Sequence, residues 1–133
     1  APAITPQEQK DYDTAFTLMK QGQYDRAAKG FRDFLANYPQ SSLRDNARYW
    51  LGEAYYVQKD YKAALSAYQT VLDKYPDSRR AADAMVKVGF SQYELKAFRN
   101  ARATLEKVQA TYPGTEAARL AAERLTRMDV EKR

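Results

Sequence analysis

Leu51-Gly52-Glu53-Ala54-Tyr55, then Ala64-Leu65-Ser66-Ala67-Tyr68, then Tyr75-Pro76-Asp77-Ser78 are the words of this sequence that decide its fold. Around the first, Trp50, Leu51, Ala54, Tyr55 and Gln58 fall at helical intervals. Lys59-Asp60 interrupts them, and Asp60 has the side chain of an N-cap. Ala64, Leu65, Tyr68, Val71, Leu72 and Tyr75 resume at spacings of three and four. Pro76 ends that run, because its ring blocks continuation and drives Tyr75 out of the helical region. Asp77-Ser78 offers side-chain oxygens to start another helix. The stretch therefore reads as two helices joined by a tight turn.

The same unit recurs on both sides. Tyr38-Pro39, Tyr75-Pro76 and Tyr112-Pro113 are spaced 37 residues apart. In that register Tyr24, Tyr61 and Phe98 align, as do Ala27, Ala64 and Ala101. So do Phe31, Tyr68 and Leu105, and Phe34, Val71 and Val108, while Gly52 and Gly89 align with Ala15. A fixed period of this length marks a stacked repeat. Helices are expected over 6–21, 24–37, 43–58, 61–74, 80–95 and 98–111, with a seventh over about 115–130 whose apolar face is Ala118, Ala121, Ala122, Leu125 and Met128. The turn at Lys96-Ala97 has no good turn residue, so its position is expected from the register alone. Gln40-Ser41-Ser42 and Gly114-Thr115 are expected to start the flanking helices. Gly52 and Ala64 are expected where the helices of one pair cross closely, since overpacking such a site costs about 1–3 kcal/mol. A lone pair cannot bury both faces, so neighbours and a terminal cap supply stability.

The pattern Leu51-Gly52-x-x-Tyr55, Ala64-x-x-x-Tyr68, Pro76 resembles the tetratricopeptide repeat. Ala15, Leu18, Ala27, Phe31 and Pro39 in the first unit, and Val88, Gly89, Ala101, Leu105 and Pro113 in the third, match it at the same places. Two departures stand out. The early Trp position of the family falls on Asp11, Arg48 and Met85, with the single Trp at Trp50, and the period is three residues longer than the usual one. The resemblance implies an all-α, right-handed superhelix of three helix pairs plus a C-terminal capping helix. The expected division is a Pro-containing linker over 1–9, repeats over 10–42, 43–79 and 80–114, and the cap over 115–133. The chain does not begin with Met, and is read as a processed protein or excised domain with an upstream portion.

Composition narrows the chemistry. The 133 residues are 44% apolar and 29% charged, a folded and soluble balance. No apolar run approaches the roughly 18 residues of a membrane span, so no membrane insertion is expected. With no Cys and no His, disulfides, thiol nucleophiles, structural zinc and His-based proton transfer are excluded, and no catalytic residue, cofactor or metal is expected. Carboxylate pairs such as Asp11 with Asp13 or Glu53 with Asp60 read as solvated surface. The net charge of +5 is mixed along the chain, unlike the one-sided basic stripe of a nucleic-acid binder. The eleven Tyr, five Phe and one Trp demand a repeated use, and packing between helices accounts for Tyr55, Tyr61 and Tyr68.

Tyr38-Pro39-Gln40-Ser41, Tyr75-Pro76-Asp77-Ser78 and Tyr112-Pro113-Gly114-Thr115 resemble envelope tetratricopeptide proteins of Gram-negative bacteria. Asn46-Ala47-Arg48-Tyr49-Trp50-Leu51-Gly52-Glu53, Ala81 to Gly89 and Tyr112 to Ala118 are similar to the C-terminal domain of the Tol–Pal-associated periplasmic family known as YbgF or CpoB. That resemblance covers residues 10–128. It implies a non-enzymatic adaptor in the periplasm that binds the transenvelope protein TolA. It also implies a role in coupling septal peptidoglycan synthesis, by a penicillin-binding synthase and its lipoprotein activator, to outer-membrane constriction in cell division. The family's N-terminal coiled coil, absent here, would make the full chain a trimer, while this part alone would be monomeric. The alternative is an outer-membrane assembly lipoprotein-type scaffold, which shares the Tyr-Pro-x-Ser form but carries a lipidated Cys and more repeats.

A superhelix of this kind lines its concave side with the first helix of each pair. The inward positions are Tyr12, Phe16 and Met19; Asn46, Tyr49, Glu53 and Tyr56; and Asp83, Val86, Phe90 and Tyr93. Many such grooves hold a peptide carboxylate with Lys and Asn, but here those places carry Tyr12, Phe16, Tyr49, Glu53, Val86 and Phe90. The expectation is a groove that buries an apolar or helical segment on aromatic rings, with Glu53 and Asp83 favouring basic residues. The competing reading is that some of these rings pack between repeats, and Trp50 fits either.

Overall fold

In the computed structural model, which describes residues 3–133, the chain is helical throughout. Seven helices follow in order: α1 Pro6–Lys20, α2 Tyr24–Asn37, α3 Arg44–Val57, α4 Tyr61–Lys74, α5 Ala81–Glu94, α6 Phe98–Thr111 and α7 Glu116–Glu131. No strand occurs among the described residues. The bounds match those expected within one residue, and those of α2, α4 and α6 match at both ends. The expected linker over 1–9 is shorter than that reading, because helix begins at Pro6. Thr5 takes extended geometry, its hydroxyl oxygen accepts from the Glu8 amide, and Pro6 stands where its missing N–H is no loss. Residues 1 and 2 lie outside the described residues. The expected divisions after residues 42, 79 and 114 lie between helices, whereas the one after residue 9 lies inside α1.

The turn within each pair is one motif repeated in register. Gly22, Lys59 and Lys96 all have positive φ, at 76°, 64° and 64°. One residue later, the amides of Gln23, Asp60 and Ala97 donate to the carbonyls of Leu18, Tyr55 and Gln92 at 2.9, 3.0 and 2.9 Å. This is the left-handed helix stop in which a later amide reaches back over the last turn. Glycine serves it once; two lysines serve it against the steric cost of a left-handed backbone. Asp60 then caps α4, its Oδ1 accepting from Ala63 at 3.3 Å. Gln23 and Ala97 make no such side-chain bond.

The Tyr-Pro connections act differently from the N-caps expected there. Ser41 and Ser78 do not cap a helix directly. Their Oγ atoms accept from the amides of Leu43 and Arg80, two residues on, and shape the turn before it. Thr115 does cap α7, accepting from Ala118 at 3.1 Å. In the first connection the motif is also tied back to α1. The Tyr38 hydroxyl donates to Asp11 and the Ser41 hydroxyl to Glu8, both at 2.7 Å. Met85 and Ala82 occupy the places of Asp11 and Glu8 two periods on, 27 and 33 residues before Tyr112 and Thr115, so the third connection has no acid at either place.

The chain forms two compact units, residues 1–67 and 68–133, with the division inside α4. In the first, α1 packs on α2, α2 on α3, and α1 more lightly on α3. Its core is Ala15, Ala27, Ala28, Phe31, Phe34, Ala47, Leu51, Ala54 and Ala67. In the second, α5, α6 and α7 pack on one another around Val88, Leu105, Val108, Ala117, Ala121 and Met128. Gly52 and Ala64 are both buried. The contact geometry is clearest at two other glycines. A Cβ on Gly30 would lie 2.9 Å from the Ala15 Cβ, and one on Gly89 would lie 2.6 Å from Leu105 Cδ2. In the first pair the glycine sits on the second helix, and in the third pair on the first.

Candidate functional site

The helical period places the proposed binding residues on the first helix of each pair, and each unit presents its own share. In the first unit α1 and α3 lie side by side. Tyr12, Phe16 and Met19 on α1 and Asn46, Glu53 and Tyr56 on α3 are half-buried, while Tyr49 is only 7% exposed. Tyr12 turns toward the second helix of its pair. Its ring stacks on Phe16 at 6.2 Å and meets Phe31 and Phe34 edge-on at 5.9 and 5.8 Å. Phe16 meets Trp50 edge-on at 5.0 Å, and Trp50 meets Tyr49 at 5.5 Å. Lys20 Nζ stands 5.3 Å from the Phe16 centroid. The edge-to-face pairs fix ring orientation while leaving part of each half-buried ring at the surface. Tyr56 pairs with Tyr61 at 5.2 Å, and Val57 beside it is 47% exposed.

The second unit departs from the expectation of open rings. Val86, Phe90 and Tyr93 are 2%, 8% and 5% exposed, and only Asp83 is half-buried. The cause is α7. The Arg124 guanidinium lies 4.1 Å from the Phe90 centroid and 4.8 Å from that of Tyr93. Arg127 and Arg133 approach Tyr93 at 5.4 and 5.8 Å. The Tyr93 hydroxyl donates to Glu131, and that bond raises the phenol's pKa, with burial adding to the rise. The same bond lowers the Glu131 pKa, against desolvation, which raises it, and with help from Arg127 and Arg133. Asp83 pairs with Arg80 at 3.7 Å, which weakens its expected preference for a basic partner segment.

Trp50 and Arg124 are the site residues that sequence reasoning left unassigned or missed. One signal could have found both: Asp13, Trp50, Lys87 and Arg124 share a register position, and Phe16, Glu53 and Phe90 share another. Within each unit the former position of one helix covers the latter position of the preceding first helix, Trp50 over Phe16 and Arg124 over Phe90. The carboxylates weighed for chemistry are bound up in structure. Asp11 accepts from Gln7 and Tyr38, Asp13 from Gln9, and Asp60 caps α4. Among the described residues no group of three potential metal ligands comes together, and no helix is long and apolar enough to cross a membrane.

Comparison with known proteins fits this architecture. Tetratricopeptide repeat models match residues 12–79 and 83–115. The chain belongs to the tetratricopeptide repeat family. It is 42% identical over 59 residues to the cell division coordinator CpoB of Pseudomonas putida, a match covering 44% of this chain and 22% of that protein. Against the Escherichia coli cell division coordinator CpoB it is 37% identical over 57 residues, covering 42% of this chain and 22% of that protein. The matched part is thus about a fifth of each curated relative's length. Among solved structures, the Sgt2 tetratricopeptide domain from Aspergillus fumigatus superposes with a TM-score of 0.78 at 18% identity, covering 99% of this chain and 87% of that one. At that identity the likeness concerns the fold.

Proposed function

We propose that this chain is a non-enzymatic adaptor domain that binds a segment of another envelope protein on the faces of its first helices, in the manner of a cell division coordinator. The observation that carries the reading is the group of half-buried Phe16, Met19, Trp50 and Tyr56 with exposed Val57 on α1 and α3, apolar area left at the surface of the first unit. The similarity to CpoB proteins of two Gram-negative bacteria supports the cell-division role. The finer reading is that the partner is TolA, that the compartment is the periplasm, and that a penicillin-binding synthase and its lipoprotein activator belong to the same assembly. Full-length trimerisation through an N-terminal coiled coil, with this domain monomeric alone, is part of that reading.

The test is calorimetric titration of the periplasmic part of TolA into the chain and into Phe16→Ala and Met19→Ala variants. Saturable binding weakened by about tenfold or more in Phe16→Ala, with helical content and cooperative melting kept, is expected for an aromatic anchor. No binding by the unaltered chain would remove TolA as the partner. Equal binding by all three proteins would move the interface off this strip.

A further inference from the structure

The second unit holds an arginine with no ion-pair partner. On α7, Arg119 is paired with Glu116 and Glu123, and Arg127 reaches Glu131 at 3.4 Å. Arg102 holds Asp129 at 2.8 Å, and Arg133 approaches Glu131 at 3.9 Å. Among the described residues Arg124 has no carboxylate within ion-pair distance, and its enclosed Nη1 has no hydrogen-bond acceptor. It is held instead by the faces of Phe90 and Tyr93. A leucine or methionine would cover those rings without desolvating a charge.

We propose that Arg124, fixed on Phe90 and Tyr93, is the receptor for an acidic side chain of a protein partner. The proposal rests on the reading that the first-helix faces bind a polypeptide, and it names what the second unit recognises. A guanidinium is a planar fork whose donors match the two oxygens of a carboxylate, and with Nη1 enclosed the edge left to a partner is that of Nε and Nη2. Contact with two rings holds the guanidinium in place, so little side-chain freedom remains to be lost on binding. The residue as a whole is half-buried, which leaves part of it at the surface. A nucleic acid fits less well. The rings that would stack on bases are covered, and Glu116, Glu123, Asp129 and Glu131 break any basic stripe along α7.

The probes are two amphipathic helical peptides, one of leucine and glutamate and the other its leucine and glutamine counterpart, titrated into the 133-residue chain at low salt. The Arg124 Nε–Hε resonance is followed together with affinity. The glutamate peptide is expected to bind about tenfold tighter, the weight of one charge-assisted hydrogen bond, and to shift that resonance. Arg124→Gln should abolish the difference, and Arg124→Lys should restore only part of it, because an ammonium keeps the charge and loses the fork. Circular dichroism confirms that both variants fold. Equal affinity for the two peptides overturns the proposal. So does a glutamate preference that survives in Arg124→Gln, which would report overall positive charge, or displacement of the glutamate peptide by single-stranded DNA of comparable affinity. Phe16→Ala, in the other unit, separates the two readings. Partner binding lost there with no glutamate preference sinks this proposal alone. A glutamate preference that needs Arg124, with partner binding indifferent to Phe16, sinks the α1–α3 reading alone.

Discussion

Lys96 shows what one backbone angle costs. Its φ of 64° is a conformation that a side chain with a Cβ resists by about 1–2 kcal/mol, and its register mate Gly22 adopts it at 76° without that penalty. Lys96→Gly is expected to raise stability by up to about 1 kcal/mol, since the gain is partly offset by the greater freedom of glycine in the unfolded chain. Urea unfolding checks this, and Gly22→Ala should move the midpoint the other way. Tyr93 and Glu131 make a second prediction at the same scale. The Glu131 pKa is lowered by the Tyr93 hydroxyl, so its share of stability is present above the ordinary glutamate range and is lost as the pH falls through the folded value. The Tyr93 pKa is raised, so its share is present below the ordinary tyrosine value and is lost as the pH rises through the folded one. Glu131→Gln is therefore expected to flatten the acid limb of a melting-temperature profile between about pH 5 and 3, the range in which glutamates titrate. An unchanged limb would mean the pair contributes nothing to folding.

Among the elements, the small residues set how closely paired helices lie. A methyl on Gly89 would meet Leu105, which is fully buried and has nowhere to move, so Gly89→Ala is expected to cost about 1–3 kcal/mol. Gly30→Ala would press on the Ala15 Cβ instead, and Ala15→Gly in the same chain should recover much of that loss. A double-mutant cycle by chemical denaturation measures the coupling, and simple additivity would contradict the contact. The helices themselves were legible from the sequence, because their bounds come from backbone rules written locally: proline after tyrosine, a turn every period, apolar spacing of three and four. The site was less legible. Tyr49, Phe90 and Tyr93 carry the same type of side chain as Phe16, and whether such a ring faces water depends on what the following helix sets against it. Arg124 is far from Phe90 in sequence and polar in character, so no apolar pattern could flag it as the cover of a ring. Thr126 of α7 stands where α1, α3 and α5 carry Ala15, Gly52 and Gly89, and it is exposed where they are buried. That difference marks α7 as a cap, and it was readable once the register was extended past 115.

For the molecule as a whole, the net charge of +5 is the property most open to misreading. Acidic residues pair with several of the basic ones, with i to i+4 pairs such as Lys29–Asp33 and Arg119–Glu123 on exposed helix faces. Binding to duplex or single-stranded DNA is expected to be undetectable at low salt by fluorescence anisotropy. A steep loss of measurable binding with rising salt would show a phosphate-binding surface after all. Trp50 has a practical consequence of another kind. It is the only indole in the chain, it sits edge-on to Phe16 and Tyr49, and it belongs to residues 1–67. Its emission is thus a built-in optical gauge for the half of the protein that holds it. Read beside far-ultraviolet ellipticity, which sums over every helix, it can reveal whether the two halves melt together without any dye or label being attached.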